Sequence, residues 1–148
     1  QFFATGDAAW NNDRSPWNLA SRWNDPSIAE IACAFARLRE RLRPMLYEEA
    51  QFCVQEGRPM MAHLCLDFSD DEQALACGDE YLLGRRLLVA PIVQPGVEGR
   101  RVYLPKGRWR HFFTGRVYEG GRTVELPCPL NEALVFEREE EETWNCAI

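Results

Sequence analysis

The chain has 148 residues, with 17 basic against 23 acidic side chains for a formal charge of -6, and 46% of it is hydrophobic. That length suits one domain that buries roughly two-thirds of its unfolded surface, and the acidic balance excludes a nucleic-acid surface, because phosphates need clustered Lys and Arg. No apolar run reaches the ~20 residues of a membrane-spanning helix, and the first residues lack the basic-then-apolar pattern of a secretory leader.

Six cysteines (Cys33, Cys53, Cys65, Cys77, Cys128 and Cys146) are irregularly spaced, with no C-x-x-C pair and no histidine at ligand spacing. Such residues read as small buried hydrophobes in a reducing compartment, the cytoplasm, although an even number leaves disulfides open. No metal site and no cofactor is expected.

Residues 1–27 show no sustained period and read as a loop. Trp10, Trp17 and Trp23 stand there beside Asn11, Asn12, Asp13 and Arg14. An aromatic surface next to hydrogen-bonding groups suits the apolar face and hydroxyl rim of a sugar, and tryptophans that pack the loop onto a scaffold are the alternative. Asp25-Pro26 starts a helix, since Asp caps free N–H groups and Pro tolerates the first helical position; Ser27-x-x-Glu30 offers a competing capping box. Ile28, Ile31, Phe35, Leu38 and Leu42 then form a stripe, with Arg37, Arg39, Glu40, Arg41 and Arg43 mostly off it, the pattern of an amphipathic helix. Pro44 should kink or split that helix, leaving Met45–Gln55 as a second segment that ends before Gly57.

Further along, Ser69–Gln73 is an acidic turn, and Asp67, Asp70, Asp71 and Asp79 read as turn, capping or solvated residues. Leu87–Val93 is a continuous apolar run that suits a core strand covered on both faces or bent at Pro91. Arg101–Leu104 and Arg108–Phe113 flank Pro105-Lys106-Gly107 and read as a hairpin; Arg116–Tyr118 and Thr123–Leu126 flank Glu119-Gly120-Gly121 and read as a second. His63 and His111 each fall in an expected strand, packed or exposed rather than catalytic. Glu137 to Glu142 reads as a solvated or disordered acidic tail. No G-x-S-x-G, H-E-x-x-H or P-loop pattern is present, so serine hydrolase, zinc protease and nucleotide hydrolase chemistry have no support.

These elements carry a resemblance. Asp79-Glu80-Tyr81, Gly84, Leu87 and Ala90-Pro91-Ile92, followed by Tyr103-Leu104-Pro105, Gly107, Trp109, Phe112, Gly115, Tyr118 and Gly120-Gly121, stand in the order of motifs found in glycoside hydrolase family 31, the α-glucosidase and α-xylosidase family. Arg37-Leu38, Leu42, Pro44, Leu46 and Tyr47 are similar to its last barrel helix, and Met60–Phe68 to its first sandwich strand. That strand follows Gly57 and Pro59, with Ala62 where the family has arginine. The resemblance implies a mainly β fold: an antiparallel sandwich of about eight strands, preceded by a loop and a kinked amphipathic helix from the end of a (β/α)8 barrel. It divides the chain into a barrel remnant (1–58), a β-sandwich domain (59–138) and an acidic tail (139–148).

The family's retaining enzymes use two carboxylates, a nucleophile and an acid/base, and both lie upstream of the part matched here. The resemblance therefore implies the C-terminal fragment of a retaining α-glycosidase acting on α-linked glucosides or oligosaccharides, itself non-catalytic. A stand-alone carbohydrate-binding module, through Trp10, Trp17 and Trp109, and a structural module are the alternatives. The family's pocket-lining "F-F-R-x-H" is replaced by Phe2-Phe3-Ala4-Thr5-Gly6, which lacks both polar residues. Asp13 and Arg14, with Trp10 and Trp17, are then the candidate substrate-binding residues, and an ion pair within the loop is the alternative for the first two. Expected partners are an oligosaccharide in the full-length parent, the missing N-terminal barrel, and a second copy through the stripe of residues 28–42; no nucleic acid or membrane is expected.

Overall fold

A computed structural model describes residues 15–139. The chain divides into two compact units, the first ending at Met45 and the second starting at Leu46. Among the described residues no helix is long and apolar enough to cross a membrane.

The first unit opens with helix α1 (Pro16–Trp23), a correction to the expected loop. The local signal is the pair Ser15-Pro16. Ser15 Oγ accepts from the Asn18 N–H at 3.3 Å as the N-cap, while Pro16, with no N–H to leave unpaired, takes the first helical position. Eight residues are too few to show a sustained apolar period, which is why the helix reads as irregular chain. Asn24 ends it in the left-handed conformation at φ 50°, and the Asp25 N–H returns to Ala20 O at 2.9 Å. Asp25 Oδ1 then accepts from the Ser27 N–H (3.0 Å) and hydroxyl (2.6 Å) as helix α2 begins.

Helix α2 (Ser27–Gln55) is continuous through Pro44, so it is not split there. One proline deletes a single backbone bond, and the turns on either side retain theirs. Ile28, Ile31, Phe35, Leu38 and Leu42 are half-buried, whereas Arg37, Arg39, Glu40, Arg41 and Arg43 are exposed, as the amphipathic pattern requires. Beyond the last turn Gly57 takes φ +61°, and the Arg58 N–H closes the end on Cys53 O at 2.8 Å.

Among the described residues the second unit holds eight strands: β1 (Met61–Ala62), β2 (Tyr81–Leu83), β3 (Leu87–Val89), β4 (Gly99–Leu104), β5 (Arg108–His111), β6 (Val117–Glu119), β7 (Arg122–Pro127) and β8 (Val135–Glu139). They form a six-stranded antiparallel sheet in the order β1-β2-β3-β8-β5-β6 and a β4-β7 pair. Between β1 and β2 lie a 3-10 turn (Leu64–Leu66) and the short helix α3 (Glu72–Ala76), so the expected strand 60–68 is only two residues long. His63 Nδ1 accepts from the Cys65 N–H at 3.1 Å, which turns the chain out of the strand. The apolar run after Leu87 is likewise a strand only to Val89, with Leu88 fully buried between β2 and β8.

Neither expected hairpin forms. β4 pairs with β7 from Gly99↔Pro127 to Leu104↔Arg122, while β5 pairs with β6 and β8 in the other sheet. Pro105–Gly107 and Gly120-Gly121 are therefore crossovers between sheets, and they lie against each other. The Gly120 N–H donates to Gly107 O and the Gly121 N–H to Leu104 O, both at 2.7 Å. The core between the sheets holds Leu64, Leu82, Leu88, Val102, Leu104, Trp109 and Phe136, with Phe68 and Ile92 partly buried against it. The stretch Glu137–Glu139, expected as solvated tail, is part of β8. Glu139 accepts from Arg110 Nε at 3.1 Å, so its acidic register is matched by a basic strand.

Candidate functional site

Of the residues expected to hold sugar, Trp10, Asp13 and Arg14 lie outside the described residues. Trp17 lies on α1 with 64% of its surface exposed, as does Trp23 with 66%, so the described part of this segment does offer solvent-facing aromatic surface. Trp109 does not. It is completely buried on β5, donates Nε1–H to Pro105 O at 2.7 Å, and packs near Phe68 with ring centroids 6.3 Å apart. Strand alternation sends Trp109 and His111 into the core and Arg108 and Arg110 outward. The carbohydrate role considered for Trp109 is thereby overturned.

Asp67 and Asp71 of the second unit have structural partners. Asp71 Oδ1 caps α3 by accepting from the Gln73 and Ala74 N–H groups (3.0 and 3.1 Å), and its Oδ2 accepts from the Tyr103 hydroxyl at 2.6 Å. Burial raises its pKa, but these donors outweigh burial and hold the carboxyl below its ordinary range. Burial first, then that carboxylate, push the Tyr103 hydroxyl up to about 12. Asp67 joins Arg58 (2.6 Å) to Arg138 (3.3 Å). His111 is buried, its Nδ1 accepting from the Thr114 N–H at 3.2 Å, and burial lowers its pKa, so it is a neutral packed residue.

Glu49, which the sequence did not single out, is completely buried on α2. Its Oε2 accepts from the Arg85 N–H (2.8 Å) and Nε (3.2 Å), while Oε1 receives Arg85 (2.9 Å) and Arg86 (3.0 Å). Burial raises its pKa, but the Arg85 bonds and the two guanidinium charges outweigh burial and lower it overall. Gly84 makes room for this carboxylate. A Cβ there would lie 2.6 Å from Glu49 Oε2 and 2.9 Å from its Cβ, and Gly84 sits at φ +63°.

A second cluster occupies the loop between α3 and β2. Cys77 Sγ lies 3.7 Å from Asp79 Oδ1; Asp79 Oδ2 pairs with Arg100 at 2.7 Å; and Glu80 Oε1 accepts from the Tyr103 N–H at 2.8 Å with Arg100 at 3.4 Å. Arg100 also donates to Asp79 O and Pro91 O (3.1 and 2.7 Å), fastening β4 to both loops. Glu80 is buried, and its Oε2 has no partner. Burial pushes its carboxyl up to about 7 and the Cys77 thiol up to about 11. A groove of about 350 Å³ adjoins, lined by Asp79, Val93, Val97, Arg100, Arg101 and Glu125.

The glycosyl hydrolase family 31 C-terminal domain matches residues 57–141, more than half of the chain. An isomaltosyltransferase of Sporosarcina globispora is 32% identical over 90% of the chain, and a 1,3-α-isomaltosidase of Kribbella flavida is 37% identical over 78%. The chain spans 12% and 16% of the length of these two relatives. In three dimensions it resembles the cycloalternan-degrading enzyme of Trueperella pyogenes, solved with a covalent intermediate, at a TM-score of 0.85 and 34% identity, covering 88% of this chain and 18% of that one. The family match and the likeness in sequence and fold agree, and the chain belongs to glycoside hydrolase family 31, matching that family's C-terminal region.

Proposed function

We propose that the chain is the non-catalytic C-terminal part of a retaining α-glycosidase that acts on α-linked glucosides or oligosaccharides. The observation that carries this reading is the alignment of 90% of the chain, at 32% identity, with an isomaltosyltransferase of which it spans only 12%. Residues 1–58 would be the end of the barrel, and the sandwich expected over 59–138 would run on through Glu139, the last residue of β8, before an acidic tail. Trp10, Asp13, Arg14 and Trp17 would lie at the rim of the sugar pocket, and free thiols such as buried Cys53 suit a reducing cytoplasm.

The test is turnover of aryl α-glucosides by the purified chain and by the same chain joined to its upstream barrel. The expected result is no turnover by the chain alone, turnover by the joined protein, and a raised KM after Trp17→Ala in the latter. Turnover by the isolated chain would overturn the reading. Solvent-facing Trp17 and Trp23 favour one competing reading, a stand-alone carbohydrate-binding module; saturable binding of maltose or isomaltose to the isolated chain would support it.

A further inference from the structure

We propose that Cys77, Asp79 and Glu80 form a binding site for a thiophilic divalent cation of the zinc class. Among the described residues, one ligand atom from each of these three gathers within 4.8 Å of the others. Cys77 Sγ and Asp79 Oδ1 are 3.7 Å apart, and sulfur and oxygen ligands across a tetrahedral zinc stand about 3.6 Å apart for bonds of about 2.3 and 2.1 Å. The pair is already spaced for the ion.

Glu80 supplies the independent indication. The residue is 4% exposed, Oε1 is taken by the Tyr103 N–H and Arg100, and Oε2 is buried with no hydrogen-bond partner. A buried carboxylate oxygen left unpaired is costly, and a bound cation is a partner that removes the cost. Arg100 does not compete for the same atoms. It holds Asp79 Oδ2 and Glu80 Oε1, so it orients both carboxylates and leaves Asp79 Oδ1 toward the thiol, as outer-shell groups around metal ligands do. Three anionic ligands would offset the dication together with Arg100. A thiolate among the ligands selects zinc or cadmium over magnesium or calcium, and the exposed Asp79 side gives the ion its entry.

The experiment is titration of the purified, chelator-stripped chain with Zn2+ by calorimetry and with Cd2+ by its thiolate charge-transfer absorbance. A single saturable site is expected, weakened roughly tenfold or more by Cys77→Ser and by Asp79→Asn, and unchanged by Cys65→Ser and Cys128→Ser. Circular dichroism checks that each variant is folded; should Cys77→Ser fail, Asp79→Asn decides, because its side chain is on the surface. Absence of saturable binding, or binding indifferent to both substitutions, would overturn the proposal.

Discussion

Gly84 and Glu49 depend on each other, and neither is replaceable alone. A side chain at Gly84 meets two penalties, the left-handed φ of +63° and the approach to Glu49 Oε2. We expect Gly84→Ala to destabilise the chain by about 2–4 kcal/mol in urea denaturation, more than the ~1 kcal/mol of left-handed strain alone. Glu49→Gln removes the buried anion that Arg85 and Arg86 share, and about 2–3 kcal/mol should be lost, short of the full cost of a buried pair because both arginines reach solvent and Arg86 keeps Glu48 at 3.8 Å. The carboxyl's folded pKa lies below its ordinary 4.5, so its stabilisation is complete above that value and disappears as pH falls through the folded pKa. Denaturation followed from about pH 6 to about pH 3 should therefore fall more steeply for the parent chain than for Glu49→Gln.

Between elements, the decisive contacts are the two crossovers, where backbone meets backbone without side chains between. A Cβ on Gly120 would collide with Pro105 O and crowd Gly107 O. Carbonyl oxygens fixed in a hydrogen-bonded turn cannot yield as a flexible side chain can. Gly120→Ala is expected to cost about 3 kcal/mol or more, whereas Gly115→Ala, at a left-handed turn with open space around it, should cost only the ~1 kcal/mol of its conformation. Both are read by thermal melting.

This is also where sequence reasoning reaches its limit. Pro105-Lys106-Gly107 and Gly120-Gly121 announce that the chain turns, and it does. Turn chemistry does not say which strand receives the returning chain, and β4 finds β7 across an intervening hairpin. The amphipathic stripe of α2 was legible because its period is local, and α1 was missed because eight residues carry no period, although Ser15-Pro16 marked its start. Glu49 could not be singled out, since its partners Arg85 and Arg86 are brought to it only by the fold. Cys77, Asp79 and Glu80 are neighbours in sequence, but the arginine that orients the two carboxylates comes from β4. The sugar-site candidates rest on residue type alone, and only Trp17 falls among the described residues, where it faces solvent.

At the level of the whole chain, the α2 stripe remains half-buried, an apolar face of the kind that partners cover. We expect self-association through residues 28–42, visible as a dimer by sedimentation at tens of micromolar and abolished by Leu38→Glu; a monomer at that concentration would exclude it. The six-stranded sheet carries a different consequence. Its strand β8 is the last described strand to leave the ribosome, yet it lies in the middle, between β3 and β5. Until Val135–Glu139 emerges, a growing chain would hold two half-sheets with facing unpaired edges, the arrangement most prone to pairing with other chains. The domain therefore closes like a keystone arch rather than growing outward from a finished nucleus, and a β8 peptide added in trans to a chain cut after Asn131 is the natural piece to complete it.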